Sequence, residues 1–287
     1  MAKLVKREKG DLSVKKKAEK TDEPKIFALP TEKKKPSQKL WDYIFLLFGE
    51  KKIGKTSMLA EIDDAFFAMF EPGDKALSTY SHLFTKWSDF RLAVRALKTD
   101  KRFSVVVVDT VDLCYKAAEA YALKKLGIEH ASEEAYGKGW AAIRKEFTDQ
   151  IMELVNSGKG VVFISHATEK EIELRRGGKY DVITTTMSGQ ARDVIEGLVD
   201  VWAYYGYDGE DRVLTIVGDD TLSAGHRLGN NFRTPDGKPI RVIDMGKSPA
   251  DAHKNFMDAF HNRYTPPAKK KTEDDAPKTF KKVKKAK

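Results

Sequence analysis

The sequence predicts an α/β fold with a mainly parallel central sheet flanked by helices. Short apolar runs, which are typical of buried strands, alternate with stretches of helical periodicity along most of the chain. The run Val105–Val108 is apolar throughout, as expected of a parallel strand covered on both faces. A segment rich in glycine and lysine, Gly49–Thr56, directly follows the first apolar run. Closely spaced strands late in the chain are expected to pair antiparallel.

The first half of the chain contains most of the predicted helices. The second apolar run ends at Glu71-Pro72-Gly73, because this tripeptide breaks regular structure. Further along, Trp87, Phe90 and Leu97 recur at a spacing that suits one buried helix face. In chain order, we predict a strand at 43–48, a helix at 56–63, a strand at 65–70, a helix at 87–97, a strand at 103–108, and helices at 111–126 and 139–157.

The second half is richer in strands. The tetrapeptide Arg175-Arg176-Gly177-Gly178 separates two strand-like runs and predicts a hairpin turn. We expect one nucleotide-binding domain at 41–264, between basic, disordered tails at 1–40 and 265–287. In chain order, the later elements are a strand at 160–164, hairpin strands at 171–174 and 180–186, and strands at 198–204 and 212–217.

The positive charge of the chain lies at its ends. The formal net charge is +9; residues 1–40 carry +7 and residues 265–287 carry +6, so the segment between them carries −4. Such tails could attract nucleic acid phosphates, or they could be solvated ends without a partner. The single cysteine, Cys114, excludes an internal disulfide and agrees with a cytoplasmic location. No apolar run is long enough to cross a membrane, so we expect no membrane partner.

The segment Gly49–Thr56 matches the phosphate-binding pattern G-x-x-x-x-G-K-[ST] in full. Glycines let the backbone N–H groups approach phosphate oxygens, and the following helix adds the positive end of its dipole. Lys55 would reach the β- and γ-phosphates of ATP, and Thr56 would place its hydroxyl on Mg²⁺. The alternative is a fortuitous glycine turn. The predicted nucleotide-binding residues are Gly49, Glu50, Lys51, Lys52, Ile53, Gly54, Lys55, Thr56 and Ser57.

Two acidic residues follow predicted strands and are candidates for the chemistry. Asp109 ends the strand Val105–Val108, where a carboxylate can hold Mg²⁺ directly or through water. The alternative for Asp109 is a cap of the next helix, together with Thr110 and Asp112. Glu71 follows the second strand, where a carboxylate could orient or deprotonate the attacking water. The alternative for Glu71 is a solvated turn residue.

Three further residues are candidates for sensing or stabilising the γ-phosphate. Ser165 and His166 end the strand at 160–164, where a polar side chain can bond the γ-phosphate and report its loss. The alternative is a structural histidine. Arg227 lies in a glycine-punctuated loop after the late strands and could contact phosphate in its own or a neighbouring subunit. The alternative is an ordinary surface arginine.

Two basic segments that also carry an aromatic residue are candidates for single-stranded nucleic acid. Basic groups can bind the phosphate backbone while a ring stacks on a base. The alternative in both places is an ordinary exposed loop. The candidates are Arg175, Arg176, Lys179 and Tyr180 at the hairpin, and Lys138 with Trp140 in the segment Tyr136–Trp140.

Together these motifs resemble the RecA-like nucleotide-binding proteins of tailed phages, in particular a phage AAA-type group that includes RecA-like single-strand annealing proteins. The resemblance covers roughly residues 41–245 and implies a RecA-type core that binds ATP, Mg²⁺ and single-stranded DNA. Gly225 stands where RecA-like recombinases often carry a lysine, which favours weaker hydrolysis. The residues that carry the resemblance are Gly49–Thr56, Phe70–Gly73, Val105–Thr110, Tyr136–Trp140, Ile164–His166 and Ser188–Gln190.

Two functional hypotheses follow. The first is an ATPase that binds single-stranded DNA and promotes annealing or recombination in phage DNA metabolism. The second is a low-turnover, nucleotide-dependent accessory or loader protein for a replication enzyme. Further copies of the chain and phage single-strand binding or replication proteins are additional candidate partners. A replicative-helicase motor is disfavoured because the 40 residues before the core are too few and too polar for a collar domain.

Overall fold

A computed structural model of the 287-residue chain describes residues 29–173 and 179–267. The chain divides into two compact units, 1–36 and 37–287, and the described residues of the first unit contain no helix or strand. All elements below belong to the second unit. The helices are α1 (Lys55–Leu59), α2 (Trp87–Leu97), α3 (Val111–Leu126), α4 (Lys138–Val155), α5 (Gly189–Leu198) and α6 (Pro249–Phe260), with short 3₁₀ turns at Leu40–Asp42, Ala131–Glu133 and Ala135–Gly137.

One mixed sheet organises this unit. The order of its main path is β10-β8-β7-β1-β5-β4-β2-β3. The pairs from β7 through β3 are parallel, whereas β8, β9 and β10 pair antiparallel and β6 forms a hairpin with β5. The predicted fold class, including the late antiparallel strands, is therefore confirmed. The strands are β1 (Ile44–Gly49), β2 (Ala65–Met69), β3 (Tyr80–Leu83), β4 (Val105–Asp109), β5 (Gly160–Glu173), β6 (Lys179–Thr185), β7 (Val201–Asp208), β8 (Asp211–Thr215), β9 (Gly225–His226) and β10 (Val242–Asp244).

The sheet separates two hydrophobic cores. Val105 and Val107 face the core that contains α1 and α6, whereas Val106 and Val108 face the core that contains helices α2 to α5. All four valines are completely buried. This alternation across a strand covered on both faces explains why Val105–Val108 is apolar at every position. Among the described residues, no helix is both long and apolar enough to cross a membrane.

Several elements differ from the sequence-based prediction. Helix α1 has five residues, because the chain turns at Ala60 and soon enters β2, so the predicted helix 56–63 is too long. Strand β5 is a single strand where we predicted two, because beyond the core it continues in register with β6. The start of the predicted strand 198–204 belongs to α5 and the turn after it. The elements β3, α5, β9, β10 and α6 were not predicted.

Candidate functional site

The predicted phosphate-loop and acidic residues converge at one edge of the sheet. Parallel strands end together, and the register places Gly49 beside His166 on one side and Tyr205 on the other. Asp109 lies beside Ile164 and Met69, in the row two residues before that of Gly49 and His166. We call these strand ends, with the residues that directly follow them, the carboxyl edge.

Two glycines shape the phosphate loop. A Cβ atom on Gly49 would lie 2.0 Å from the carbonyl oxygen of Tyr205, so β1 and β7 approach too closely there for any side chain. Gly54, the residue before α1, has a φ of 109°, a conformation that L-amino acids with a side chain rarely adopt. The two glycines of the pattern thus have separate physical reasons, one at each end of the loop.

Lys55 is folded against this loop. Its side chain is almost fully buried, and its Nζ donates to the carbonyl oxygens of Gly49 at 2.9 Å and Glu50 at 2.6 Å. Burial lowers the pKa of Lys55 to about 8, and the negative charges of Asp109 and Glu71 oppose this shift. The ammonium group is therefore held inside the loop, where an anionic ligand would favour its charged form.

Thr56 and Asp109 meet directly. The Thr56 hydroxyl donates to Asp109 Oδ2 at 2.6 Å, and Asp109 is buried. Burial raises the pKa of Asp109 from its usual value, and the hydrogen bond from Thr56 opposes this rise. A hydroxyl and a carboxylate are hard oxygen ligands of the kind that Mg²⁺ prefers when phosphate and water complete its shell. The described residues contain no cluster of three or more acidic, histidine or cysteine side chains that would form a metal site without a ligand.

Glu71 contacts His166 across the edge. His166 Nε2 lies 3.2 Å from Glu71 Oε1, and both side chains are partly buried. The other ring nitrogen, Nδ1, is buried without a hydrogen-bond partner among the described residues. The structure therefore brings together the predicted water-activating carboxylate and the predicted sensor histidine.

The structure adds a linkage that the sequence analysis missed. Asp112 Oδ1 accepts hydrogen bonds from Ser165 at 3.1 Å and from Thr186 at 2.6 Å. Asp112 thereby joins the start of α3 to the core half of β5 and to the residue after β6. The sequence analysis considered Asp112 only as a helix cap. No sequence pattern points to Thr186, because its position near Asp112 depends on the β5–β6 register.

A cleft of about 890 Å³ extends from the carboxyl edge along α3 and the start of α5. Glu71 and His166 line one part, and Lys116 and Trp140 line another. The Trp140 side chain is 39% exposed, and its ring packs edge-on against His130. Lys138 is exposed at the start of α4 but does not line the cleft. Trp140 is thus connected by one cleft to the predicted hydrolytic residues.

The hairpin offers less support for nucleic acid binding than its sequence suggested. Lys179 forms ion pairs with Glu171 at 2.6 Å and with Glu173 at 3.4 Å, so neighbouring carboxylates offset its charge. Tyr180 is half-buried and lies opposite Ile172 in the strand pair. The predicted residues Arg175 and Arg176 lie outside the described residues.

The structure does not bring Arg227 to the phosphate loop. Arg227 Nη2 donates to the carbonyl oxygen of Val199 at 2.6 Å, and its Nε lies 3.6 Å from Asp200. Asp200 precedes β7 and accepts the backbone N–H of Ile44 at the start of β1, so this cluster lies at the opposite, amino edge of the sheet. A phosphate contact by Arg227 within its own subunit is inconsistent with this placement; a contact with a neighbouring subunit stays a prediction.

Comparison with known proteins agrees with this geometry. A family model described as an AAA domain matches residues 42–228, which include the phosphate loop, Asp109 and the predicted sensor residues Ser165 and His166. The chain belongs to the AAA domain family. It therefore carries an AAA-type nucleotide-binding domain. Helix α6, which packs beside α1, lies beyond the matched residues of this AAA domain.

The AAA domain protein is also similar to a prophage protein. It is 26% identical over 133 residues to the SPbeta prophage-derived uncharacterized protein YorG of Bacillus subtilis strain 168. The match covers 44% of this chain and 41% of the prophage protein, so the chain spans less than half the length of that relative. This similarity agrees with the predicted phage-type AAA family, whereas the finer likeness to RecA-like annealing proteins stays a prediction.

Proposed function

We propose that the chain is a Mg²⁺-dependent ATPase that binds single-stranded DNA and promotes annealing or recombination in phage DNA metabolism. The observation that carries the ATPase proposal is the Thr56–Asp109 contact of 2.6 Å beside the buried ammonium of Lys55. A phosphate loop, a metal-holding pair and a nearby carboxylate are the parts that phosphoryl transfer to water requires. The AAA family membership and the prophage relative support the same proposal.

Each residue of the carboxyl edge has a proposed task. Lys55 and the loop N–H groups bind the phosphates, and Thr56 and Asp109 hold Mg²⁺, which would neutralise phosphate charge when bound. Glu71 orients the attacking water and accepts its proton. His166 holds the Glu71 carboxylate through its Nε2 and positions it toward the γ-phosphate side of the loop. Ser165 reports the γ-phosphate to Asp112 and Thr186.

The cleft supports the nucleic acid part of the proposal. The exposed indole of Trp140 and the exposed side chain of Lys116 line the same cleft and offer a stacking surface and a phosphate contact in one groove. We assign this role to Trp140 in preference to the hairpin residue Lys179, because carboxylates offset the charge of Lys179. The basic segments 1–40 and 265–287 would add salt-sensitive affinity through their charge.

The deciding experiment is ATP hydrolysis with and without single-stranded DNA, at low and moderate salt. We expect turnover that DNA stimulates, and we expect Glu71→Gln to bind ATP while losing about a hundredfold or more in turnover. Glu61→Gln, an exposed carboxylate after α1, is the matched control and should turn over ATP normally. Equal turnover in Glu71→Gln and wild type would remove Glu71 from the mechanism.

The cleft is tested by DNA binding. We expect Trp140→Ala to weaken single-stranded DNA binding about fivefold or more, because stacking contributes about 1–3 kcal/mol per base. Trp140→Phe should retain most of the affinity, since it keeps a ring. Tyr80→Ala on β3 removes another exposed aromatic outside the cleft and should have no effect. Unchanged binding by Trp140→Ala would exclude the cleft as the DNA site.

A second function is the low-turnover accessory or loader protein. The paired charge of Lys179 favours it, because the hairpin then offers less attraction for DNA than for a protein surface. ATP binding without turnover, or turnover that DNA does not change, would support this function over the first. The search would then move to protein partners that bind only in the presence of ATP.

A further inference from the structure

Arg212 lies beside the phosphate loop, where the sequence analysis had no arginine. It belongs to β8, and its Nη1 lies 3.5 Å from the position that a Cβ atom on Gly54 would occupy. Its Nη2 donates to the carbonyl oxygen of Lys247 and, at 3.4 Å, to that of Gly246. Among the contacts of the described residues, Nη1 and Nε make no hydrogen bond. One arm of the guanidinium is thus anchored while the other faces the loop.

The anchor itself is rigidly built. Gly246 has a φ of 63°, and its N–H donates to Asp244 Oδ1 at 2.7 Å. The backbone of the same turn is tied to β8, because Met245 N donates to the carbonyl oxygen of Arg212 at 2.8 Å. A guanidinium that is fixed before a ligand arrives loses little conformational entropy when it binds an anion.

An exposed aromatic side chain accompanies this arginine. Tyr207 on β7 pairs directly with Arg212, so both side chains lie on the same face of the sheet. Tyr205 lies two residues earlier on that face, in the core that contains α1, and its hydroxyl is 4.0 Å from the Cβ position of Gly54. Tyr207 is 52% exposed, whereas Tyr205 is 1% exposed. Beyond the phosphate loop, this face of the sheet therefore presents first the Arg212 guanidinium and then the accessible Tyr207 ring.

The strand order indicates which end of a nucleotide would meet them. Glu71 follows β2, Asp109 ends β4 and His166 lies within β5, all on one side of β1. Arg212 and Tyr207 lie on the other side, on β8 and β7. A triphosphate bound along the loop with its γ-phosphate toward Glu71 would direct its nucleoside toward β7 and β8. We propose that Arg212 binds the phosphates at the nucleoside end and that the Tyr207 ring stacks on the base. This inference rests on the proposed ATP binding at the same loop.

The surrounding charge favours a mononucleotide as the ligand. The turn between β7 and β8 carries three acidic residues close to the proposed base position. A long polyanion such as a DNA strand would be repelled there, whereas a nucleotide presents its uncharged base to this side. The acidic residues are Asp208, Glu210 and Asp211.

The first test measures affinity for ATP, ADP and inorganic triphosphate. We expect Arg212→Ala to weaken all three by about tenfold or more, since a hydrogen bond to a charged group is lost. The losses for ATP and ADP should be equal, because the nucleoside end is common to both. Arg241→Ala, whose side chain bonds the carbonyl oxygen of Gly218, is the control and should bind normally. Arg212→Lys keeps the positive charge but lacks the forked guanidinium, so its affinities should lie between those of the wild type and Arg212→Ala.

The second test separates base stacking from phosphate binding. We expect Tyr207→Ala to weaken ATP and ADP about fivefold or more while leaving inorganic triphosphate unchanged, and Tyr207→Phe to bind like wild type. Thermal denaturation without nucleotide measures whether each variant is folded. If Arg212→Ala destabilises the Gly246–Lys247 turn, the nucleotide affinity of Arg212→Lys tests the inference instead. Wild-type affinity for ATP in Arg212→Lys, Arg212→Ala and Tyr207→Ala would overturn the inference. ATP binding lost only in Lys55→Ala would leave the proposed function standing, and a wild type that binds no ATP would overturn both.

Discussion

Polar side chains cluster at both edges of the central sheet, but their hydrogen bonding differs between the two edges. At the amino edge, Asp200 accepts the N–H of Ile44 and Arg227 donates to the carbonyl oxygen of Val199, so side chains complete the bonding of the main chain. At the carboxyl edge, Asp112 Oδ2 and His166 Nδ1 are buried without partners among the described residues. The Nε1 of Trp202 is a similar atom near the amino edge, but it is a neutral donor.

This difference indicates where a ligand is expected. Burying a polar group without a hydrogen bond costs free energy, and the cost is larger for a charged group. An edge that carries a buried ammonium and several carboxylates is therefore expected to gain from a charged ligand. At the amino edge, Asp200 and Arg227 bond the backbone and also pair with each other, so that edge is expected to serve stability. Matched substitutions at the two edges test this contrast.

The largest expected effect concerns the close approach of β1 and β7. Gly49→Ala would place a methyl group 2.0 Å from a backbone oxygen that belongs to a central strand. We expect a loss of about 3 kcal/mol or more in the free energy of unfolding, because neither backbone can move cheaply. Gly225→Ala at the amino edge is the control, since its Cβ would meet no atom within 4 Å. Urea denaturation gives both values, and equal stability of the two variants would contradict the packing argument.

The next effect is on ATP affinity. Lys55→Ala removes the buried ammonium from the loop, and we expect at least a hundredfold loss of ATP binding because a charged ligand loses its main counter-charge. Arg227→Ala removes a positive charge at the amino edge and should leave the ATP affinity of a single subunit unchanged. Calorimetric titration measures both. Unchanged ATP affinity in Lys55→Ala would overturn the nucleotide-site assignment.

A smaller effect is expected on the response to Mg²⁺. Asp109→Asn keeps an acceptor for Thr56 but removes the negative charge, so the gain in ATP affinity on adding Mg²⁺ should fall about 10- to 100-fold. Asp200→Asn, at the amino edge, should keep the wild-type response. ATP titrations with Mg²⁺ and with EDTA measure this gain. A full Mg²⁺ response in Asp109→Asn would mean that the metal is held elsewhere.

The smallest expected effect is a pH dependence of stability from two histidines that pack against the core containing α1 and α6. Burial lowers the pKa of His253 on α6 and of His226 at the amino edge below the usual 6.5. The unfolded chain then binds more protons below about pH 6.5, so the free energy of unfolding should fall as the pH drops from about 7.5 to about 5. Replacing either histidine by glutamine should reduce this slope in urea denaturation. An unchanged slope in both variants would contradict the burial argument.

The fold could be predicted where the local pattern and the tertiary role agree. The bounds of α2 and α3 were predicted correctly, and the buried residues of each helix recur at helical spacing. Helix α6 was missed although Ser248, Pro249 and Asp251 form a capping box with proline at its first position. Its buried residues Ala252, Phe256 and Phe260 also recur at helical spacing, so the local signal for this helix was present.

Only the part of the site that carries sequence motifs could be predicted. Motif spacing and strand ends sufficed to predict that Lys55, Asp109 and His166 would lie together. The position of Arg212 depends on the antiparallel register of β7 and β8, and no local pattern encodes that register. Arg227 could not be assigned to one edge for a related reason, because a loop after late strands can lie at either edge.

The continuous course of β5 has a mechanical consequence. Its first half lies between β1 and β4 in the core, and its second half leaves the core with β6 as its only strand partner among the described residues. Glu173 lies about 26 Å along the strand from Ser165. A tilt of about 10° at Ser165 would therefore carry Glu173 through about 5 Å. In this geometry a hydrogen-bond-sized change at Ser165, the proposed γ-phosphate sensor, would become a displacement of about the size of a side chain at Glu173.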